Sequence, residues 1–372
     1  MIFTKSERKI HYMGAILEYK CPCCSGPLQF DTDAQKMKCP YCDNEFDAET
    51  LKSNDDVLKE EKPDMMDWSS QPGNEWMQGE LEGQKVYLCN SCGGQIVCDD
   101  TTGATDCPYC GSPVVMVGQF AGDKRPDIII PFKLDKEAAK NGFKQHLCKK
   151  RLLPKAFRTD SYIDDIKGVY VPFWLYDAHA DAQAYFHATK VKSWSDDKYN
   201  YTKTSHYRLY RNGSMDYERV PVDGSSKMAD DLMESLEPFT ADGEVAFQTA
   251  YLSGYIAYKY DVDSNESNGR ANERIKKSTL DRLTSTTNDF TSVTTESSSV
   301  QLDNGTVKYA LYPVWLLTAK WNGDIYNFAM NGQTGKFVGN LPMDKGAYWR
   351  WTGLIALIAT VAALAVSAFV LL

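Results

Sequence analysis

Residues 21–42 read CPCCSGPLQFDTDAQKMKCPYC, and residues 89–110 read CNSCGGQIVCDDTTGATDCPYC. Cys21, Cys24, Cys39 and Cys42 recur as Cys89, Cys92, Cys107 and Cys110, each shifted by 68 positions, so the two stretches read as an internal repeat. Each unit is C-x2-C, fourteen residues, then C-x2-C. That spacing sets two knuckle turns on two hairpins and lets four thiolates close a tetrahedron around zinc. Gly26, Gly93, Gly94 and Gly111 follow the knuckles, where the turns need a permissive backbone. Four protein ligands leave no open coordination position, so the expectation is two structural Zn2+ sites and no hydrolytic one. Cys23 offers a competing thiol beside Cys24, but it aligns with Ser91, which makes Cys21 and Cys24 the preferred ligands. Cys98 aligns with Phe30 and reads as a small buried apolar residue.

The surroundings of the cysteines are acidic. No Arg occurs from position 20 to 118, and this region carries seven basic against eighteen acidic residues. Such a surface repels phosphate, which argues against nucleic acid as the partner of the ribbons and for protein docking. Residues 49–83, with ten acidic residues, three Lys, and Pro63, Pro72, Gly73, Gly79 and Gly83, read as a solvated linker. Its Met65, Met66, Trp68 and Trp76 form either a short docking segment or a patch that packs on the neighbouring ribbon.

Downstream, Val171-Pro172-Phe173-Trp174-Leu175 resembles Tyr312-Pro313-Val314-Trp315-Leu316, and the same offset of 141 pairs Ala178 with Ala319, Tyr185 with Tyr326 and Ala188 with Ala329. A strand and a helix are predicted before each copy: a strand over 127–133 with a helix over 136–150, and a strand over 251–260 with a helix over 268–283. The helix face over 136–150 carries Phe143, Leu147 and the Arg151 stem. A further helix is predicted over 226–236, and residues 278–299, rich in Ser and Thr, as loop or edge strand. Asn212-Gly213, Asn304-Gly305 and Asn322-Gly323 are read as type I′ turns. The expected body is a duplicated β-α-β-β domain of α+β class with antiparallel sheet.

Residues 351–372, WTGLIALIATVAALAVSAFVLL, contain no charge and are long enough to cross the roughly 30 Å hydrocarbon core as a helix. Tyr348, Trp349 and Trp351 match an interfacial aromatic belt, and Lys345 and Arg350 place that side in the cytoplasm. No apolar stretch typical of a secretory signal occurs in residues 1–20, so a tail-anchored protein with a cytoplasmic, reducing environment for its cysteines is expected. The mean hydropathy of -0.44 conceals this segment, because the 372 residues are otherwise polar, with a net charge of -9.

Asp177, His179 and Asp181 alternate on one strand face and are the candidate metal or acid-base set, with a solvated face as the plainer reading. Asn331-Gly332-Gln333-Thr334-Gly335-Lys336 lacks the spacing of a phosphate-cradling loop and reads as a turn. No GxSxG, HExxH or Walker pattern occurs, so no enzyme is expected.

The CPYC knuckles, Val171 to Asp177, Pro313 to Leu316, the segment NGQTGKFVGNLP over 331–342 and the terminal apolar helix together resemble a bacterial family of membrane-anchored zinc-ribbon proteins, often labelled primosomal-helicase-like or TFIIB-type. Some members of that family are encoded beside phage-shock protein A, a TPM-domain protein and a flotillin-like SPFH protein. The resemblance implies a role in placing such partners at the membrane under envelope stress. The expected organisation is an extension over 1–19, ribbons over 20–48 and 84–118, the linker over 49–83, the duplicated domain over 119–347 and the transmembrane helix over 351–372. The expected function is a zinc-ribbon adaptor on the cytoplasmic membrane face. The alternative is a membrane-held nucleic-acid or transcription regulator, which needs a basic face built from Lys190, Lys192, Lys198, Lys203, Arg208 and Arg211.

Overall fold

The computed structural model describes residues 20–21, 26–47, 51, 63–69, 71–82, 84–99, 106–119, 124–154, 157, 165–339 and 342–371. The fold is mixed α+β and mostly sheet, with four helices among the described residues. The chain divides into two compact units. One comprises Met1–Met65, Ala182–Gly213 and Leu280–Gln301, and the other Met66–Asp181, Ser214–Thr279 and Leu302–Leu372.

In the first unit, β1 (Gln29–Asp31), β2 (Lys36–Lys38) and β3 (Glu45–Phe46) form a three-stranded antiparallel sheet of their own. This is the first cysteine-knuckle unit. The unit also holds the far ends of three long strands introduced below.

The second unit is the body. It contains β4 (Gln84–Cys89), β5 (Gln95–Asp99), β6 (Val114–Gln119), β7 (Ile128–Ile129) and helix α1 (Lys136–Cys148). Strands β8 (Lys167–Ser195) and β9 (Asn200–Asp223) follow, then helix α2 (Asp230–Ser235), β10 (Val245–Ala246), β11 (Ile256–Tyr258) and helix α3 (Ser264–Thr284). The order closes with β12 (Ser292–Trp321), β13 (Asp324–Asn331), β14 (Phe337–Gly339) and helix α4 (Lys345–Leu371). The sheet runs β10-β7-β12-β8-β11-β5-β4-β6, with β9 on β8 and the β13–β14 hairpin on β12.

The body sheet is mixed, which corrects the expected antiparallel sheet: β7 lies parallel to β12, and β11 parallel to β8. The second cysteine unit is not a separate module before this body. Its β5 pairs with β11 through Val97–Ala257 and Ile96–Tyr258, so its strands continue the body sheet. Apolar residues alternate along β8 and β12 to build the core, with Phe173, Leu175, Tyr312, Val314 and Leu316 in one cluster and Tyr170, Trp174, Tyr309 and Leu311 in another.

Several predicted boundaries move for local reasons. The strand expected over 127–133 shortens to Ile128–Ile129 because Pro131 has no N–H for the ladder. The strand expected over 251–260 becomes a 3-10 turn at Thr249–Leu252 and the short β11, separated by Gly254 at φ 82°. Helix α3 starts earlier than predicted because Asp263 accepts from Glu266 N at 2.8 Å. Of the Ser/Thr-rich stretch 278–299 expected as loop or edge strand, residues 278–284 belong to α3 instead and 292–299 are strand. There Ser285, Thr286 and Thr287 hydroxyls return hydrogen bonds of 2.6 Å to Arg282 O, Leu283 O and Thr284 O, and β12 begins at Ser292. Arg151 leaves the α1 face and lies 4.9 Å over the Trp351 ring.

Only one of the three Asn-Gly pairs makes the predicted turn, Asn322-Gly323 with φ values of 53° and 91°. Asn212-Gly213 runs inside β9, and Asn304-Gly305 inside β12. The linker prediction also fails for residues 66–82. Trp68 Nε1 donates to Asn272 Oδ1 at 2.8 Å, the Trp76 ring meets Phe247 at 5.8 Å, and Arg125 Nε donates to both Glu80 carboxylate oxygens at 2.9 Å. Its two Trp rings pack into an apolar cluster that joins body residues such as Tyr176 and Phe247 to Val86 and Val97 of the second cysteine unit, so the expected packing on the neighbouring ribbon is part of what holds the segment.

Candidate metal centre

Among the described residues, only the cysteine clusters bring three or more ligating side chains within 4.8 Å of one another. Cys89, Cys92, Cys107 and Cys110 form a complete set. Cys21, Cys39 and Cys42 form the other, whose expected fourth member Cys24 lies outside the described residues together with its competitor Cys23.

The backbone builds both knuckle sets in the same way. Cys21 N donates to Gly26 O at 2.7 Å, and 68 residues later Cys89 N donates to Gly94 O at 3.0 Å. Likewise Cys39 N donates to Asn44 O at 2.9 Å and Cys107 N to Ser112 O at 2.8 Å. The turns close with Asp43 N to Cys39 O at 2.9 Å and Gly111 N to Cys107 O at 2.8 Å. Gly111 adopts φ 62°, and Asp43, its counterpart, holds φ 55° without the benefit of a missing Cβ.

The sulfur geometry fits a tetrahedral ion. Cys89 Sγ lies 3.5 Å from Cys110 Sγ, and Cys92 Sγ 3.6 Å from Cys107 Sγ. Metal–sulfur bonds of about 2.3 Å at tetrahedral angles require sulfur separations of about 3.8 Å, so a small outward movement of the ligands suffices. In the first cluster Cys21 Sγ and Cys42 Sγ are 3.6 Å apart, and Asn44 Nδ2 donates to Cys42 Sγ at 3.2 Å. Both clusters can hold a metal ion.

Electrostatics distinguish the four thiols of the second site. Burial pushes the Cys92 thiol up to about 12, and burial likewise raises Cys107. At Cys110 burial also acts upward, but the Ser112 hydroxyl and backbone N–H outweigh it and bring that thiol down to about 6. An incoming cation must therefore displace protons at Cys92 and Cys107, and affinity falls as pH falls.

The second site is tied to the body by contacts no motif announces. Tyr258 on β11 places its hydroxyl 3.5 Å from Cys107 Sγ, and its ring packs 4.0 Å from that of Tyr109. Burial holds the Tyr258 phenol far above its ordinary range, so it keeps its proton beside the sulfur. Thr318 Oγ1 donates to Pro108 O, and Lys167 Nζ donates to Asp106 O at 3.1 Å. Tyr109 is 4% exposed, whereas Tyr41, at the same place in the first CPYC knuckle, is 73% exposed. Ser112 and Asn44 were legible as equivalent polar residues two positions after the last cysteine of each unit. Tyr258, 151 residues from Cys107, carried no sequence signal. Cys98 is buried within the core, and Cys148 is exposed.

The candidate set on β8 comes together only in part. Asp177 accepts from Arg219 N at 2.6 Å and from Lys308 Nζ at 2.9 Å. His179 Nδ1 lies 2.5 Å from Asp216 Oδ1, while Asp181 accepts from Ser214 Oγ at 2.6 Å. The Asp216 contact raises the His179 pKa. His179 Nε2 also lies 3.8 Å from Asp181 Oδ1, so these two face each other, while Asp177 is engaged by Arg219 and Lys308 instead.

No family model matches the chain, and no solved structure matches it. It is 33% identical over 342 residues to the uncharacterized protein YdjG of Bacillus subtilis (strain 168), an alignment covering 92% of this chain and 94% of the relative. At that identity over nearly the full length of both proteins, the chain belongs to the family of YdjG.

Proposed function

We propose that the protein is a membrane-anchored zinc-ribbon adaptor whose bulk lies on the cytoplasmic face and docks partners of a membrane-maintenance complex. The observation that carries this reading is helix α4, an apolar helix that touches the rest of the chain at its start, through Ala347 and Trp351, and is exposed from 352 to 364. A helix of that length and composition left uncovered is accounted for by lipid. Lys345 and Arg350 at its start favour the cytoplasmic orientation.

Zinc is the ion we assign to both cysteine sets, because four thiolates in C-x2-C pairs are its usual structural environment. Closed sites hold shape and offer no coordination position for a substrate, which fits docking better than catalysis. The body is read as a duplication: the order short strand, helix, long strand, partner strand occurs as β7-α1-β8-β9 and as β11-α3-β12-β13, and each short strand pairs with the long strand of the other half. On the resemblance to membrane-anchored zinc-ribbon proteins, the partners are of SPFH or phage-shock protein A type.

Affinity purification of the full chain from detergent-solubilised membranes tests the proposal. Co-purification of an SPFH or phage-shock type protein is expected, together with loss of membrane fractionation when residues 345–372 are deleted. Unchanged fractionation after that deletion removes the anchor, and repeated purification without such a partner removes the adaptor.

A further inference from the structure

The hairpin joining β8 to β9 is open to solvent on both faces from position 190 to 204. Its register is set by three contacts. Asp196 N donates to Tyr199 O at 2.9 Å, the Trp194 and Tyr201 rings stack at 5.5 Å and 12°, and Ser193 Oγ lies 3.2 Å from Thr202 Oγ1. Side chains alternate between the faces of a strand, so this register sorts them completely. One face carries Lys190, Lys192, Trp194, Asp196, Tyr199, Tyr201 and Lys203, and there the Tyr201 hydroxyl donates to Asp196 Oδ2 at 2.9 Å. The other carries Val191, Ser193, Ser195, Asn200, Thr202 and Thr204.

A ribbon wetted on both sides has no packing reason to place every ring and every strand lysine on one face. The arrangement also has a cost. The register sets Lys192 opposite Lys203, and like charges directly opposite one another destabilise a strand pair. Neither these two nor Lys190 and Lys198 has a carboxylate partner among the described residues. Trp194 is 48% exposed and Tyr199 65% exposed.

We propose that this face of the hairpin binds single-stranded nucleic acid, with Lys190, Lys192 and Lys203 on the phosphates and Trp194, Tyr199 and Tyr201 stacking on bases. Rings interleaved with cations on an open strand face are the means by which sheets hold single strands without reading sequence. A duplex, whose bases are already stacked, offers the rings nothing. Asp196 and Asp197 at the hairpin turn oppose any polyanion that runs over the tip, which places the bound strand along the lysine-bearing stem. Asp196 accepts from Lys198 N at 2.9 Å and Tyr199 N at 2.7 Å, bonds that stabilise its charged form. A protein partner fits less well because lysine is depleted from the centres of protein interfaces. The acidity of residues 20–118 lies elsewhere in the sequence and leaves this patch basic. Of the six basic residues picked out by sequence, Arg208 and Arg211 are engaged by Glu296 and Thr286, which leaves the four lysines.

The test uses the full chain in zwitterionic detergent micelles and fluorescein-labelled oligothymidine of twenty bases, read by fluorescence anisotropy across a salt series. Binding is expected with a slope of log affinity on log salt of about -2, at about -0.7 for each of three lysines. Trp194→Ala is expected to weaken binding about five- to 150-fold. Lys192→Glu with Lys203→Glu is expected to abolish it at 150 mM salt. Thr204→Ala, on the opposite face, should leave it unchanged, and circular dichroism of each variant establishes that the fold is kept. No binding at low salt, a flat salt response, or equal loss from Thr204→Ala overturns the proposal. Tighter binding of poly-glutamate, of a duplex of equal length or of phosphatidylglycerol vesicles overturns it in favour of that ligand.

Discussion

Identical motif residues are given different tasks by their surroundings. Tyr41 and Tyr109 occupy the same place in two CPYC knuckles, yet only Tyr109 is buried, against Tyr258. Asp223 is a sharper case. It is 2% exposed, accepts from Ser225 N at 3.0 Å through one oxygen, and among the described residues has no hydrogen-bond partner for the other. Burial pushes its carboxyl up to about 8. A carboxyl raised in the folded state adds no penalty below about pH 4, where folded and unfolded chains are both protonated. Between about pH 4 and pH 8 the unfolded chain alone releases the proton, so stability falls as pH rises and then levels off. Asp223→Asn should therefore raise the melting temperature by several degrees at pH 8 and leave it unchanged at pH 4. A uniform shift at both pH values would show that the effect is one of packing and not of ionisation. The charge of Asp223 was visible in the sequence. Its burial was not, because nothing in the sequence around Asp223 specifies what encloses it.

At the level of elements, hydrophobic periodicity located the helices, and local capping chemistry corrected their ends. Helix α1 begins where Asp135 accepts from Ala138 N at 2.7 Å and buries Ala139, Phe143 and Leu147. The Asn-Gly pairs mark the limit of turn rules. Gly305 is not a turn residue: a Cβ there would lie 2.9 Å from the Trp68 ring and 3.0 Å from Asp67 O. The glycine allows residues 66–69 to approach β12, where Ser69 Oγ donates to Gly305 O at 3.0 Å. Gly305→Ala should loosen this segment. Faster amide exchange confined to residues 66–82 is the expected result, with the exchange of β8 and β11 unaffected. If exchange in the segment stays at its wild-type rate, the close approach is not what holds it. A linker composition, acidic with several Pro and Gly, concealed this attachment because two Trp residues outweigh many solvated charges once a matching apolar surface exists.

For the whole molecule, the two cysteine units share a backbone design and differ in what they support. The first has its own three-stranded sheet, while the second shares the sheet of the body through β5 and β11. Cys107→Ser should release one equivalent of metal and lower the main melting transition by about 5 °C or more, since a shift of a few degrees corresponds to about 1 kcal/mol at this size. Cys39→Ser should release one equivalent and leave that transition in place. Equal effects on the main transition would contradict the difference in sheet membership. The sequence by itself determined the two cysteine sets, the α+β class, the alternating core of the long strands and the apolar terminal helix. All of these depend on spacing or composition over a few tens of residues, which local sequence records directly. Only the tertiary structure decided that the second unit is part of the body sheet, that Tyr258 stands beside Cys107, that residues 66–82 are packed and that the hairpin rings share a face with its lysines. Those outcomes depend on which distant segments meet and in which register, and a pairing between strands more than a hundred residues apart leaves no periodic trace in either one.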